Sequence, residues 1–212
     1  MHLPNTLQVL GRPNSINVRK VLWLCAELDI PFEHQPWGLG ELSLQSPQYL
    51  ALNPNALVPV IRHGSLVLWE SNTICRYLAA QHGRHDLLPE SPRERAGVEQ
   101  WMDWQATELN NAWRYAFLAL VRHSPAHNDA QAIASSVNNW NRHMAILEMQ
   151  LGQTQAYAAG ATFTLADIVL GLSVNRWLMT PMQHPVLPAV AAYGERLAER
   201  PAFALHSGPA WP

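Results

Sequence analysis

Ser15 stands where a short apolar segment, LQVL at residues 7 to 10, gives way to a helical pattern. The first segment reads as a buried strand. Beyond it Val18, Val21, Leu22, Cys25 and Leu28 recur at three- and four-residue intervals, as on one face of a helix. This puts a hydroxyl at a helix mouth, where unpaired backbone N–H groups and the positive end of the macrodipole favour a thiolate, phosphate or carboxylate. A serine in that position is ordinarily a helix cap, so the segment alone leaves capping and chemistry both open.

Residues 53 to 71, NPNALVPVIRHGSLVLWES, supply a second and a third polar station. Pro59 opens a strand, lacks an N–H and holds Val58 extended, so the Val58 backbone is available to pair with a peptide-like ligand. Sequence leaves open whether the Val58–Pro59 bond is cis or trans. After the turn at His63, Gly64 and Ser65, a further strand runs into Glu70 and Ser71. Glu70 offers a charge to an ammonium, and Ser71, expected to cap the following helix, can receive a carboxylate there. A ligand with a zwitterionic amino-acid head, an extended peptide middle and a reactive group at Ser15 fits all three stations. Glutathione is such a ligand.

The elements that must position these residues fall into two groups. Gly83, Pro89 and Pro92 interrupt a polar stretch at residues 82 to 94, which predicts domains over 1–82 and 93–212 joined by a linker at 83–92. Strands and helices precede it, and helices alone follow. One long helix is expected from about Arg93 to Arg122, and another from about Asn128 to Leu151, with Ile133, Val137, Trp140, Met144, Leu147 and Leu151 forming a buried stripe. Thr164 and Asp167 form a capping box at the start of a further helix, with Phe163 and Ile168 as its hydrophobic staple, which discounts Asp167 as a catalytic acid.

Composition removes several function classes. The 212 residues carry a net charge of -2 and a single lysine, Lys20, so there is no basic footprint for nucleic acid. No apolar run is long enough to span a bilayer, and the N-terminus lacks a secretory pattern, so no membrane partner is expected and the cytoplasm is the expected compartment. Cys25 and Cys75 lie on apolar helix faces and read as buried thiols. His82 and His85, or His123 and His127, lack a third ligand on the same element, so no metal is expected.

Four segments in order, SINVRKVLWLCAEL from Ser15, NPNALVPVI from Asn53, LWESNTICRYLA from Leu68 and FTLADIVLG from Phe163, resemble the cytosolic glutathione S-transferase family, in its bacterial, serine-type form. The resemblance implies an α/β thioredoxin-like N-terminal domain, an all-α C-terminal domain and a homodimer that uses glutathione as co-substrate. It implies that Ser15 donates a hydrogen bond to the glutathione sulfur, with Asn17 as a second catalytic contact. Asn14, Val58, Pro59, Glu70 and Ser71 are the implied glutathione contacts, and Trp113, Arg114 and Phe117 the implied pocket for an apolar electrophile. Asn14 and Asn17 can equally serve only as turn and first-turn partners of the backbone.

Departures from the family pattern are local. Ala56 stands where many relatives carry glycine and Leu57 where many carry a polar ligand contact. Residues 38 to 52 hold no lysine or arginine for the glycyl carboxylate, which leaves Arg12, the second subunit or water. The helix-mouth Asn14-Ser15-Ile16 does not match the Ser-Ser-Cys of isomerase relatives. A thiol with a pKa near 8.5 is only about 3% ionised at pH 7, so the chemistry expected of Ser15 and its helix is to lower that pKa by about 2 units. The readings left are conjugation of glutathione to apolar electrophiles, a related peroxidase or dehalogenase activity, and a non-catalytic binding or regulatory role.

Overall fold

In a computed structural model that describes residues 6–210, the strand and helix signals of the N-terminal part resolve into β1 (Leu7–Leu10), α1 (Ile16–Glu27), β2 (Phe32–Gln35), α2 (Pro47–Leu50), β3 (Val60–His63), β4 (Leu66–Trp69) and α3 (Ser71–Gln81). The sheet order is β2-β1-β3-β4. β1 pairs parallel with β2 and antiparallel with β3, and β3 pairs antiparallel with β4. The parallel pair requires a crossover, and α1 is that crossover. This βαβ unit followed by a ββα unit is the thioredoxin-like arrangement. Compact units divide between His85 and Asp86.

Register is what matters for function. Leu10 lies opposite Val60, and Val60 lies opposite Trp69. The last residue of β1, the first of β3 and the last of β4 therefore form one row at one end of the sheet. The chain segments leaving that row are the Ser15 turn, the Val58–Pro59 loop and Glu70–Ser71.

α1 is buried nearly all round, from Val18 to Cys25 without a break, and packs on α3. Cys25 and Cys75 are buried, and burial pushes both thiols up to about 12, so neither is a thiolate at neutral pH.

The second unit is helical: α4 (Pro92–Trp104), α5 (Asn110–Leu120), α6 (Ala130–Thr154), α7 (Leu165–Met179), α8 (Pro188–Ala198) and the short α9 (Pro201–Ala204). The long helix expected from about Arg93 to Arg122 is continuous but not uniformly α-helical, because Gln105–Leu109 forms a π-helical turn between α4 and α5. The buried Gln105 amide donates to Asn110 Oδ1 at 2.9 Å and to Ser173 Oγ at 3.0 Å. This wider turn carries an extra residue, which a 3.6-residue pattern does not reveal.

Along α6 the apolar stripe is fully buried at Trp140, Met144, Leu147 and Leu151, whereas Ile133 and Val137 are half-buried. α7 is buried on every face from Leu165 to Trp177, the signature of a central helix. Its start is the Thr164–Asp167 capping box. The Asp167 carboxylate accepts from Ala158 N at 2.9 Å, Thr164 N at 2.8 Å, Thr164 Oγ1 at 3.1 Å and the Tyr193 hydroxyl at 2.9 Å. Burial outweighs these bonds and raises its pKa from 3.8 to about 6.

Replacing Asp167 with alanine strands Tyr193 and two backbone amides, and is expected to lower the unfolding free energy at pH 7 by about 3 kcal/mol. Because the folded carboxyl holds its proton more tightly than the unfolded one, protonation adds a further increment of stability that is full below about pH 4 and is lost as pH rises through about 6. Denaturant titrations should therefore show the gap between wild type and Asp167→Ala widening by about 1 kcal/mol from pH 7 to pH 5. A gap independent of pH contradicts the assignment.

Candidate active site

Ser15 occupies the N-cap position of α1, with φ -84° and ψ 125°. Its N–H donates to Arg12 O at 3.1 Å and its carbonyl accepts from Arg19 N at 3.0 Å, closing the turn and starting the helix. The hydroxyl makes no capping bond. Capping and chemistry were both open to this serine, and the geometry leaves the hydroxyl uncommitted at a half-buried helix mouth.

Two residues on, Asn17 Oδ1 is buried without a hydrogen-bond partner among the described residues. Asn17, Asn53, Leu57, Val58, Pro59, Glu70 and Ser71 line one small cleft. Of the site residues inferred from sequence, five therefore share its walls. Asn14 and Ser15 lie on the turn leading to Asn17, outside the walls proper, and both are half-buried.

The close approach of this turn to the Val58 loop depends on Gly11. At φ 149°, a side chain there would put its Cβ 2.6 Å from Val18 Cγ2 and 2.9 Å from Val58 Cβ.

Val58 precedes a cis peptide bond to Pro59. Neither backbone group of Val58 has a hydrogen-bond partner among the described residues. The residue before it is anchored: Leu57 O accepts from the Tyr49 hydroxyl and from Asn53 Nδ2, each at 2.8 Å. Asn53 Oδ1 in turn accepts from Asn55 N at 3.1 Å and Asn55 Nδ2 at 3.0 Å. Burial pushes the Tyr49 hydroxyl up to about 12, so it remains a donor. Tyr49 and Asn53 are the supporting residues that sequence reasoning missed. Asn53 had a signal in the NPNA turn composition, while Tyr49 had none.

Glu70, not Ser71, occupies the N-cap position of α3. The expectation that Ser71 caps the helix is corrected by one residue: Glu70 turns the chain directly from β4 into α3 at φ 74° and ψ 108°, and its carbonyl accepts from Ile74 N at 2.8 Å. A positive φ in a non-glycine residue costs of order 1 to 3 kcal/mol and is kept where the surroundings impose it. Ser71 is thus the first helical residue, buried, with the free amides of the first turn beside it. Glu70 itself is exposed.

Trp113 and Phe117 are buried in the helical unit. Their rings pack edge to face at 5.4 Å, and the Arg176 guanidinium lies 4.6 Å from the Trp113 centroid and 4.0 Å from that of Phe117. Arg114 is exposed. Arg12 is also exposed, its guanidinium next to Gly38. Among the described residues no group of three or more His, Cys, Asp or Glu side chains could hold a metal ion, and no helix is long and apolar enough to cross a membrane.

A thioredoxin-like unit with two helix N-termini at one end of its sheet, followed by a helical unit, defines the class of glutathione-fold proteins. Residues 14–81 match the N-terminal domain of glutathione S-transferase and residues 110–201 its C-terminal domain. Glutathione S-transferase GstB of Escherichia coli K12 is 37% identical over 194 residues, covering 91% of this chain and 93% of that protein. Glutathione S-transferase 3 of Zea mays is 31% identical over 204 residues, 93% of this chain and 91% of its own. The crystal structure of a theta class glutathione S-transferase from Xanthomonas axonopodis pv. citri, with glutathione bound, has a TM-score of 0.89 at 37% identity, covering 96% of this chain and 97% of that one. The chain belongs to the glutathione S-transferase family.

Ala56 adopts φ 53°, a left-handed conformation that glycine reaches without penalty. Ala56→Gly is therefore expected to raise the denaturation midpoint, by about 1 kcal/mol in unfolding free energy. Destabilisation by this substitution would show that the loop does not hold the left-handed conformation in solution.

Proposed function

We propose that this glutathione transferase binds glutathione along the cleft, with the peptide middle paired to Val58, the amino-acid head at Glu70 and Ser71, and the sulfur at Ser15. The carrying observation is the uncommitted Ser15 hydroxyl at the N-cap of α1. Hydroxyl, free amides and helix dipole all favour a thiolate over a thiol there. Asn17 is the second polar side chain close to the sulfur, through its amide N–H. The bound thiolate attacks an electrophilic carbon and Ser15 stays a hydrogen-bond donor, so no covalent enzyme intermediate forms.

This reading includes a homodimer in the cytoplasm. What supports assembly is the edge strand β4, on which Leu66, Val67 and Trp69 are exposed apolar side chains. For the electrophile this reading keeps the implied set Trp113, Arg114 and Phe117, of which Arg114 is exposed and the other two pack on Arg176.

Ser15→Ala is expected to leave the glutathione Kd nearly unchanged and to lower conjugation to an activated aryl chloride about a hundredfold, the effect of losing one donor to a developing or stabilised anion. Full conjugation by the variant removes Ser15 from the mechanism, and no conjugation by wild type with any activated electrophile supports the non-catalytic reading. Glu70→Ala should instead weaken glutathione binding by about 2 kcal/mol with little change in kcat, as expected for a lost charged hydrogen bond. Unchanged affinity, read by calorimetry, would sink the head-group assignment.

A further inference from the structure

Between α7 and α8 the chain forms one side of an apolar groove of about 250 Å³ that lies wholly within the helical unit. Trp177 and Leu178 at the end of α7 line it, as do His184 and Val186 in the connecting segment and Ala191 on α8. The segment is tied down at three points. His184 Nε2 donates to Trp177 O at 2.7 Å, Asn141 Nδ2 on α6 donates to Gln183 O at 3.0 Å, and Thr180 Oγ1 donates to Arg176 O at 2.8 Å. The groove is therefore built before anything enters it. Val186 is nonetheless 93% and Leu178 43% exposed, apolar surface left in water that an apolar ligand would cover.

Only two of the lining side chains carry a polar atom, and they differ in what they have left to offer. Trp177 gives its one N–H to Asn141 Oδ1 at 2.8 Å. His184 stands edge to face with that indole, ring centroids 4.5 Å apart at 82°. A carbonyl oxygen only accepts, so His184 Nε2 carries the hydrogen. In the neutral ring Nδ1 is then an acceptor, and it has no partner among the described residues. No Asp, Glu, Lys or Arg lines the groove, so nothing there offsets the desolvation of a charged ligand. Sites for drug-sized ligands run from roughly 300 to 1,000 Å³, so a groove of this size suits one ring or two fused rings.

We propose that this groove is a second binding site, for a small uncharged aromatic molecule of one or two rings bearing a hydroxyl that donates to His184 Nδ1. The inference does not rest on glutathione occupying the cleft at the end of the sheet.

The test measures binding by equilibrium dialysis at pH 8 for 2-naphthol and for 2-methoxynaphthalene, which keeps the rings and loses the donor. Wild type is expected to bind 2-naphthol about tenfold more tightly than the ether, the effect of one hydrogen bond. His184→Phe keeps a ring and removes the acceptor, and should raise the 2-naphthol Kd about tenfold while changing that of the ether less than twofold. Ala191→Trp, at an exposed position of α8, fills the groove and should abolish binding of both. Undiminished binding of 2-naphthol by Ala191→Trp would place the ligand elsewhere and overturn the proposal. Equal weakening of both ligands by His184→Phe would reduce the histidine to holding the segment, and also overturns it. If His184→Phe fails to fold, the wild-type comparison decides, since equal affinity for the two ligands leaves Nδ1 unread and contradicts the proposal. Absence of binding by wild type overturns it as well, and a change of oligomeric state in Ala191→Trp would then assign the groove to a second copy of the chain.

Discussion

The row formed by Leu10, Val60 and Trp69 is the constraint on which the site depends. Strand pairing fixes side-chain direction and spacing together, because a slip of one residue would turn every side chain to the opposite face. With the register set, three segments distant in sequence must leave the sheet at one end. Two of them open helices, α1 and α3, and the third presents the backbone of Val58 between them. Core packing protects this register: Leu10 and Val60 are buried with Trp37 and Tyr49 in one cluster, and Val58 packs against it.

From that row follows an electrostatic arrangement made of backbone more than of side chains. Helix N-termini carry unpaired amides and a partial positive charge that cost no reorganisation when an anion arrives. The side chains around them are held in readiness. Ser15 is at the cap without capping, and Glu70 is held at a positive φ. The Val58 backbone is unpaired among the described residues, and Tyr49 and Asn53 both bond to the preceding carbonyl. The helical unit contributes rigidity of another kind, with α7 buried on all faces and started by the Asp167 network.

Much of this was legible in the sequence because it is local. Ser15, Val58–Pro59 and Glu70–Ser71 each sit at a strand end marked by composition, and the Thr164–Asp167 capping box is a four-residue pattern. What escaped depends on distance or on dihedral angle. The Tyr49 hydroxyl reaches a carbonyl eight residues on, and Arg176 stacks over Trp113 and Phe117 from another helix, so no spacing rule connects them. The family resemblance implies Trp113 and Phe117 as pocket residues without saying what they pack on. The π-helical turn at Gln105–Leu109 and the one-residue shift at Ser71 are matters of backbone angle, which residue type constrains only weakly.

The central claim is that the α1 mouth holds glutathione as a thiolate. The most direct measurement is a pH titration of thiolate ultraviolet absorbance for glutathione mixed with the protein, with each component alone subtracted. The account predicts a saturable signal whose midpoint lies about 2 units below the free thiol pKa near 8.5. A signal that titrates with the free thiol at every protein concentration would contradict it.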